Sequence, residues 1–258
     1  GDHIVQERTS QNLNNRSGHG NYLSQRIVEI AQQRQIEIKE REAGGLPPLP
    51  DAIPFFLEID PVDLDPDSLR GFGIEVLSVE HDGLVIGAST DGYNFKDLKK
   101  KISNFLEQSG KAKNQAAKLW NIIDGEKWRI EQILSEELQE KWSVLSDTEI
   151  YTIDLSISSG VYITDAPLKK EDEPEEKFTK RLEAWRQKKE KSEIKNDEIK
   201  TKRQDELFKI VKGYNGEILS SFVDSEDSFS VRIKINGKGL KDIVINYPYL
   251  FDVTEYDP

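Results

Sequence analysis

The sequence predicts an α+β fold made of two copies of one strand–turn–strand–helix unit, and three observations lead there. First, a stretch is repeated. Arg70-Gly71-Phe72-Gly73-Ile74-Glu75-Val76-Leu77-Ser78, a turn at Asp82-Gly83, the run Leu84-Val85-Ile86 and Phe95-Lys96-Asp97-Leu98 have a counterpart downstream. It reads Lys212-Gly213-Tyr214-Asn215-Gly216-Glu217-Ile218-Leu219-Ser220, then Ser230-Val231-Arg232-Ile233 and Leu240-Lys241-Asp242-Ile243. The offset is 142 for Gly71/Gly213, Glu75/Glu217 and Ser78/Ser220, and 145 for Asp97/Asp242, as a loop three residues longer would give. Second, each copy orders its elements as strand, helix, two strands, helix, strand, the β-α-β-β-α-β pattern of a ferredoxin-like fold. Third, the second copy holds a long charged helix between its first two strands, where the first copy has only a short one.

In chain order, residues 1–18 are polar with little to bury and are expected to form a disordered tail. Residues 19–50 read as a helical arm with apolar positions Leu23, Ile27, Ile30 and Ala31, stopped by Gly44-Gly45 and followed by a Pro-rich linker. The first α+β unit is placed at 53–147. It begins with a strand from Ile53 to Ile59 and a short helix opened by Pro66. The hairpin Ile74 to Glu80 and Leu84 to Ser89 turns at Asp82-Gly83. Asn94 is expected to cap a helix burying Phe95, Leu98, Ile102 and Phe105. Ala116, Ala117, Trp120 and Ile123 are expected on further helix, and Ile150 to Ile157 is read as the next strand.

The second unit is placed at 148–258. Its helix, about 174–211, lies in a segment, 169–206, with 13 basic and 12 acidic residues. Near-neutral interleaved charge suits a solvated helix with i,i+4 pairs. Apolar residues cluster at its two ends, so it is expected to project or break in the middle. A hairpin Glu217 to Val223 with Phe229 to Ile235, a helical piece from Leu240 to Ile245 and a strand from Leu250 to Thr254 close the unit.

Composition excludes several classes of function. The chain has 258 residues, a net charge of −12, no cysteine and no methionine. An acidic surface argues against general nucleic-acid binding, which needs Lys and Arg to neutralise phosphates. Without cysteine there is no disulfide, thiolate nucleophile or thiolate-ligated zinc. No apolar run is long enough to span a bilayer. A chain lacking even an initiator methionine is expected to be a piece of a longer protein.

Candidate chemistry is sparse, and no residue is assigned a catalytic, cofactor-binding or metal-binding role. His3, His19 and His81 are not at metal-ligand spacing. Asp63-Leu64-Asp65-Pro66-Asp67 alternates carboxylates as calcium loops do, but Ser68 and Ile74 stand where Gly and Glu are needed. The lysines from Lys96 to Lys118 read as a solvated helix face. No phosphate loop, dinucleotide fingerprint or nucleophile elbow is present. What remains is contact chemistry: Trp185, Tyr247, Tyr249, Phe251 and Tyr256 are the candidate protein-interface residues.

One resemblance bears on function. His19-Gly20-Asn21-Tyr22-Leu23, then Phe55-Phe56-Leu57-Glu58-Ile59, then Gly73-Ile74-Glu75-Val76-Leu77-Ser78-Val79 and Lys111-Ala112-Lys113-Asn114-Gln115 follow in an order that resembles a known family. It is the N-terminal region of subtilisin-like serine peptidases (the S8 family) from bacterial two-gene phage-defence systems, in which the peptidase is paired with a AAA-type ATPase. That resemblance implies an Asp-His-Ser catalytic domain downstream. This chain carries none of the triad motifs, so the region itself is expected to be inert. It further implies a cytoplasmic bacterial setting and prodomain-like units that bind the chain's own protease domain and meet the ATPase, with no nucleic acid, membrane or cofactor involved. The alternative is a stand-alone interaction scaffold that uses the long charged helix.

Overall fold

The computed structural model describes residues 2–160 and 165–258. Two antiparallel sheets organise it. In the first, β1 (Pro54–Ile59), β2 (Ile74–Val79), β3 (Leu84–Ser89) and β4 (Leu119–Ile123) lie in the order β2-β3-β1-β4. In the second, β5 (Ile150–Ser158), β6 (Glu217–Ile218), β8 (Ser228–Asn236) and β9 (Leu250–Glu255) lie in the order β6-β8-β5-β9, and β7 (Val223–Asp224) also pairs with β8. The two orders are the same: in each sheet the first and third strands are central and the second and fourth are at the edges. The chain is therefore α+β with two ferredoxin-like units, and the repeat in the sequence is a repeat of topology.

The helices differ between the copies. The second unit has α6 (Glu175–Gly213) after its first strand and α7 (Gly237–Asn246) before its last. In the first unit α3 (Lys96–Glu107) matches α7, but only a 3-10 helix, Pro66–Phe72, stands in the place of α6. The N-terminal arm makes up the difference. Helix α2 (Arg16–Ala43) lays Leu23, Ile27 and Ile30 into the first core, beside Phe55, Leu57 and Ile59 of β1 and Leu98, Ile102 and Phe105 of α3. Positions i, i+4 and i+7 fall on one helical face, and burying each such side chain contributes about 1.5–3 kcal/mol.

Four expectations need correction. The segment expected to be a disordered tail is helical: α1 (Asp2–Asn14) continues almost directly into α2. Its polar side chains have fixed partners on the body. Thr9 donates to Asp60 at 2.6 Å, Asn12 to the Ala117 carbonyl at 2.9 Å, and Arg8 lies 4.4 Å from the Trp120 ring centroid. Hydrogen bonding replaces apolar burial here, which composition cannot reveal.

The stretch holding Ala116, Ala117, Trp120 and Ile123 is not helix. It is a 3-10 turn, Gln115–Lys118, leading into β4, and β4 rather than β5 closes the first sheet against β1. Asn94 does not cap α3; the Asp91 carboxylate accepts from the Phe95 and Lys96 amides at 3.2 and 2.8 Å. Finally, α6 does not break, and its middle is buried where exposure was expected, while no residue from 175 to 191 is buried. It runs unbroken for 39 residues, with Ser192, Asn196 and Arg203 buried along its middle and Leu207, Ile210 and Val211 in the second core.

The sheets are covered unequally. The first has α2 and α3 on one face. On its other face Phe56, Leu77 and Ile86 join the second unit's core, with Phe56 stacked 5.7 Å from Trp128 of α4 (Glu126–Ile133). The second sheet buries Ile153, Leu155, Val231 and Ile233 under α6 and α7, while its alternate residues Thr152, Asp154, Ser156 and Arg232 are half-exposed.

Buried arginines join the parts. Arg41 of α2 forms a bidentate pair with Asp242 of α7 at 2.5 and 2.6 Å. Arg34 donates to the Asn246 carbonyl at 2.9 Å, and Arg129 of α4 to the Val244 and Tyr247 carbonyls at 2.6 and 2.5 Å. Both arginines thus cap the C-terminal end of α7, where carbonyls lack helical partners. Burial, with Arg34 nearby, pulls the Arg129 guanidinium down to about 9, so it remains charged at neutral pH.

His19, buried under α3, has Nε2 at 3.0 Å from both the Ala116 and Leu119 carbonyls and its ring edge-on to Phe105. Burial lowers its pKa below 6.5, the two carbonyls oppose that shift, and Arg8 adds to it. In the window below pH 6.5 the unfolded chain takes up the proton first, so this contribution is full above 6.5 and lost as pH falls. Urea melts at pH 7.5 and 5.5 should show a larger acid loss for the wild type than for His19→Gln; equal losses would refute the assignment.

Candidate binding cleft and open sheet face

A cleft of about 740 Å³ lies between the two units. One wall is α6, which presents Ala184, Trp185, Lys188, Lys195 and Ile199 at near-helical spacing. The other is the 3-10 helix with Pro66, Asp67 and Arg70, continued by Ile74, Glu75 and Val76 of β2. Arg203, Tyr249 and Gly160 close the base.

Arg203 holds the base together. It meets Glu75 through two hydrogen bonds of 2.9 Å, donates to the Ser158 carbonyl at 2.6 Å and stacks 3.4 Å from the Tyr249 ring centroid. Burial alone would lower its pKa, but the adjacent Glu75 carboxylate leaves it raised. A charged pair this well satisfied fixes the relative placement of β2 and α6. On the rim, burial and Asp65 push the Asp67 carboxyl up, against the pull of Lys188.

The five sequence-nominated interface residues do not form one surface. Trp185 and Tyr249 both line the cleft, 64 positions apart in sequence. Phe251 is half-buried, packed against the second core. Tyr256 is exposed and lies 3.6 Å from the guanidinium carbon of Arg232, which pairs with Asp154 at 2.8 Å on the uncovered sheet face. Tyr247 is a correction. It is 0 % exposed, sits in the core edge-on to Tyr249 and has no surface to offer a partner. The pattern Tyr247, Tyr249 and Phe251 looked like one face, but Tyr247 precedes β9 and falls outside its alternation.

Sequence reasoning missed Glu75, Arg70, Lys188, Lys195 and Arg203. Lys188, Lys195 and Arg203 were lost among the many charges of α6. Their only available signal was the spacing of Ala184, Lys188, Lys195 and Ile199 along one helical stripe. Among the described residues, no group of three or more His, Cys, Asp or Glu is placed to hold a metal ion. No described helix is long and apolar enough to cross a membrane.

Fold and site together define a duplicated α+β protein whose features are surfaces: an inter-unit cleft and an uncovered sheet face. No family model, curated protein or solved structure matches the chain.

Proposed function

We propose that this chain is a non-catalytic regulatory or recognition region that acts by binding other polypeptides, of the prodomain-like kind that precedes the catalytic domain in subtilisin-like phage-defence peptidases. The observation that carries the reading is the face of the second sheet that no described element covers. Its sister sheet is packed on both faces, whereas this one leaves Thr152, Asp154, Ser156, Ser230 and Arg232 half-exposed on a flat surface of central strands. Prodomains of subtilisin-like enzymes dock such a face on their protease. Here the polar face, with Tyr256 stacked on Arg232 of the central strand β8, offers hydrogen bonds and an aromatic anchor to a partner. A partner AAA-type ATPase would then meet a different surface.

The test begins with the gene beyond the Pro258 codon. A subtilisin-type catalytic domain found there, expressed separately, should bind the purified chain and change in activity or folding yield. Ser156→Arg, in the middle of the open face, should weaken that binding by about tenfold. A stop codon, or no binding and no effect, overturns the reading. In that event the stand-alone scaffold, favoured by Ile194 at 65 % and Phe208 at 48 % exposure on α6, takes its place.

A further inference from the structure

A second, smaller cavity, of about 280 Å³, lies where the N-terminal arm meets the second unit. Helix α2 forms one wall with Arg34, Glu37, Ile38 and Arg41, which share a helical face at i, i+3, i+4 and i+7. Leu46 and Leu49 of the linker and Asn246 at the end of α7 stand opposite, with the exposed Glu40 on the rim. The cavity is at the C-terminal end of α6, where Pro47 packs against Gly213. Charge in it is incompletely matched. Arg41 is fully engaged, by Asp242 and by the Pro47 carbonyl. Arg34 is not, although it is only 4 % exposed. Its Nη2 donates to the Asn246 carbonyl, its Nη1 has the Glu37 carboxylate no nearer than 4.0 Å, and its Nε has no hydrogen-bond partner among the described residues. Burial lowers the Arg34 pKa against the opposing pull of Glu37, as expected of a cation short of partners. The Glu40 carboxylate has no hydrogen bond or ion pair among the described residues.

We propose that this cavity binds a free α-amino acid with an aliphatic side chain. The α-carboxylate meets the Arg34 guanidinium, the ammonium lies by the carboxylates of Glu37 and Glu40, and the side chain rests on Ile38, Leu46 and Leu49. This site is separate from the open face of the second sheet and does not depend on that reading. Its size decides the class of ligand. Ordinary pockets for small molecules run from about 300 to 1,000 Å³, so this one is too small for a nucleotide or a peptide. Its charge decides the rest. A simple anion would face the two rim carboxylates, and a simple amine would leave the buried guanidinium unmet. A zwitterion answers both, and the apolar wall takes its side chain. The bound amino acid would touch α2, the linker and the end of α7 together. It would therefore hold the arm on the second unit and stabilise the whole chain by mass action.

Isothermal titration calorimetry on the whole chain tests this with leucine and three relatives, each lacking one of its groups. Leucinamide lacks the carboxylate, isocaproate the ammonium and glycine the side chain. Leucine should bind with a Kd of about 1 mM or tighter, and each relative at least about tenfold more weakly. Saturating leucine should also raise the melting temperature. Glu37→Gln combined with Glu40→Gln should weaken leucine about tenfold and leave isocaproate no weaker than before, since that acid has no ammonium to lose. Arg34→Lys should weaken both; if that variant fails to fold, the rim variant decides alone. No binding of leucine up to about 10 mM, a relative that binds as tightly as leucine, or a rim variant that binds leucine unchanged would each overturn the proposal.

Discussion

Replacing Asp242 by Ala will cost about 3–5 kcal/mol of folding stability, because it strands a buried cation. Asp242 accepts two hydrogen bonds from Arg41 at 2.5 and 2.6 Å, one from the Tyr214 hydroxyl and one from Asn246 at 2.8 Å. Both partners of the ion pair are buried, at 7 % and 8 % side-chain exposure. Burial alone would raise the Asp242 carboxyl, but those hydrogen bonds hold it below the usual carboxylate range, while Tyr214 is pushed up by burial and by Asp242. Stability from this carboxylate is present above its unfolded-state pKa and is lost as pH falls through the lower folded value. The double variant Arg41→Met with Asp242→Leu should recover most of the loss, since apolar replacement of a whole buried pair is often neutral or better. Chemical denaturation of the wild type and the two variants checks this; a double variant no more stable than Asp242→Ala would show that the charges themselves are required.

Tyr247→Ala will cost about 3–5 kcal/mol, the loss typical of removing a large ring from a core. Tyr256→Ala will change stability by less than about 0.5 kcal/mol, as surface changes do. The contrast separates the two aromatic roles that sequence alone merged. Tyr247 is wholly buried between Arg129, which binds its carbonyl, and Tyr249 at the base of the cleft. Its hydroxyl has no hydrogen-bond partner among the described residues, and burial, with Glu206 adding to it, pushes its pKa well up. Tyr247→Phe should therefore leave stability unchanged or raise it by about 1 kcal/mol. Thermal melts of the four proteins decide it. A Tyr247→Ala protein as stable as wild type would return this residue to the candidate contacts.

Several elements were legible because their cause is local. Asp82 and Gly83 adopt φ of 58° and 77°, as a tight turn between two apolar runs requires, and a Cβ at Gly83 would come within 2.3 Å of the Ile59 carbonyl. The face of α3 followed from its spacing of Phe95, Leu98, Ile102 and Phe105. The open face of the second sheet was also written in β5 and β8, whose strict alternation leaves one side polar. Trp120 was misplaced because Ala116 and Ala117 favour helix, while pairing with β1 decides the strand.

The sequence by itself determined the duplication, the turn of the first hairpin and the buried face of α3, because periodicity and turn chemistry act over a few residues. Only the tertiary structure decided that the N-terminal arm supplies the first unit's second helix, that Arg203 reaches Glu75 across 128 positions, and that Ile74, Glu75 and Val76 of β2 line the cleft. Hydrogen-bonded and ionic contacts between distant segments leave no periodic trace in a chain rich in charge. They depend on which faces the packed sheets leave within reach of one another.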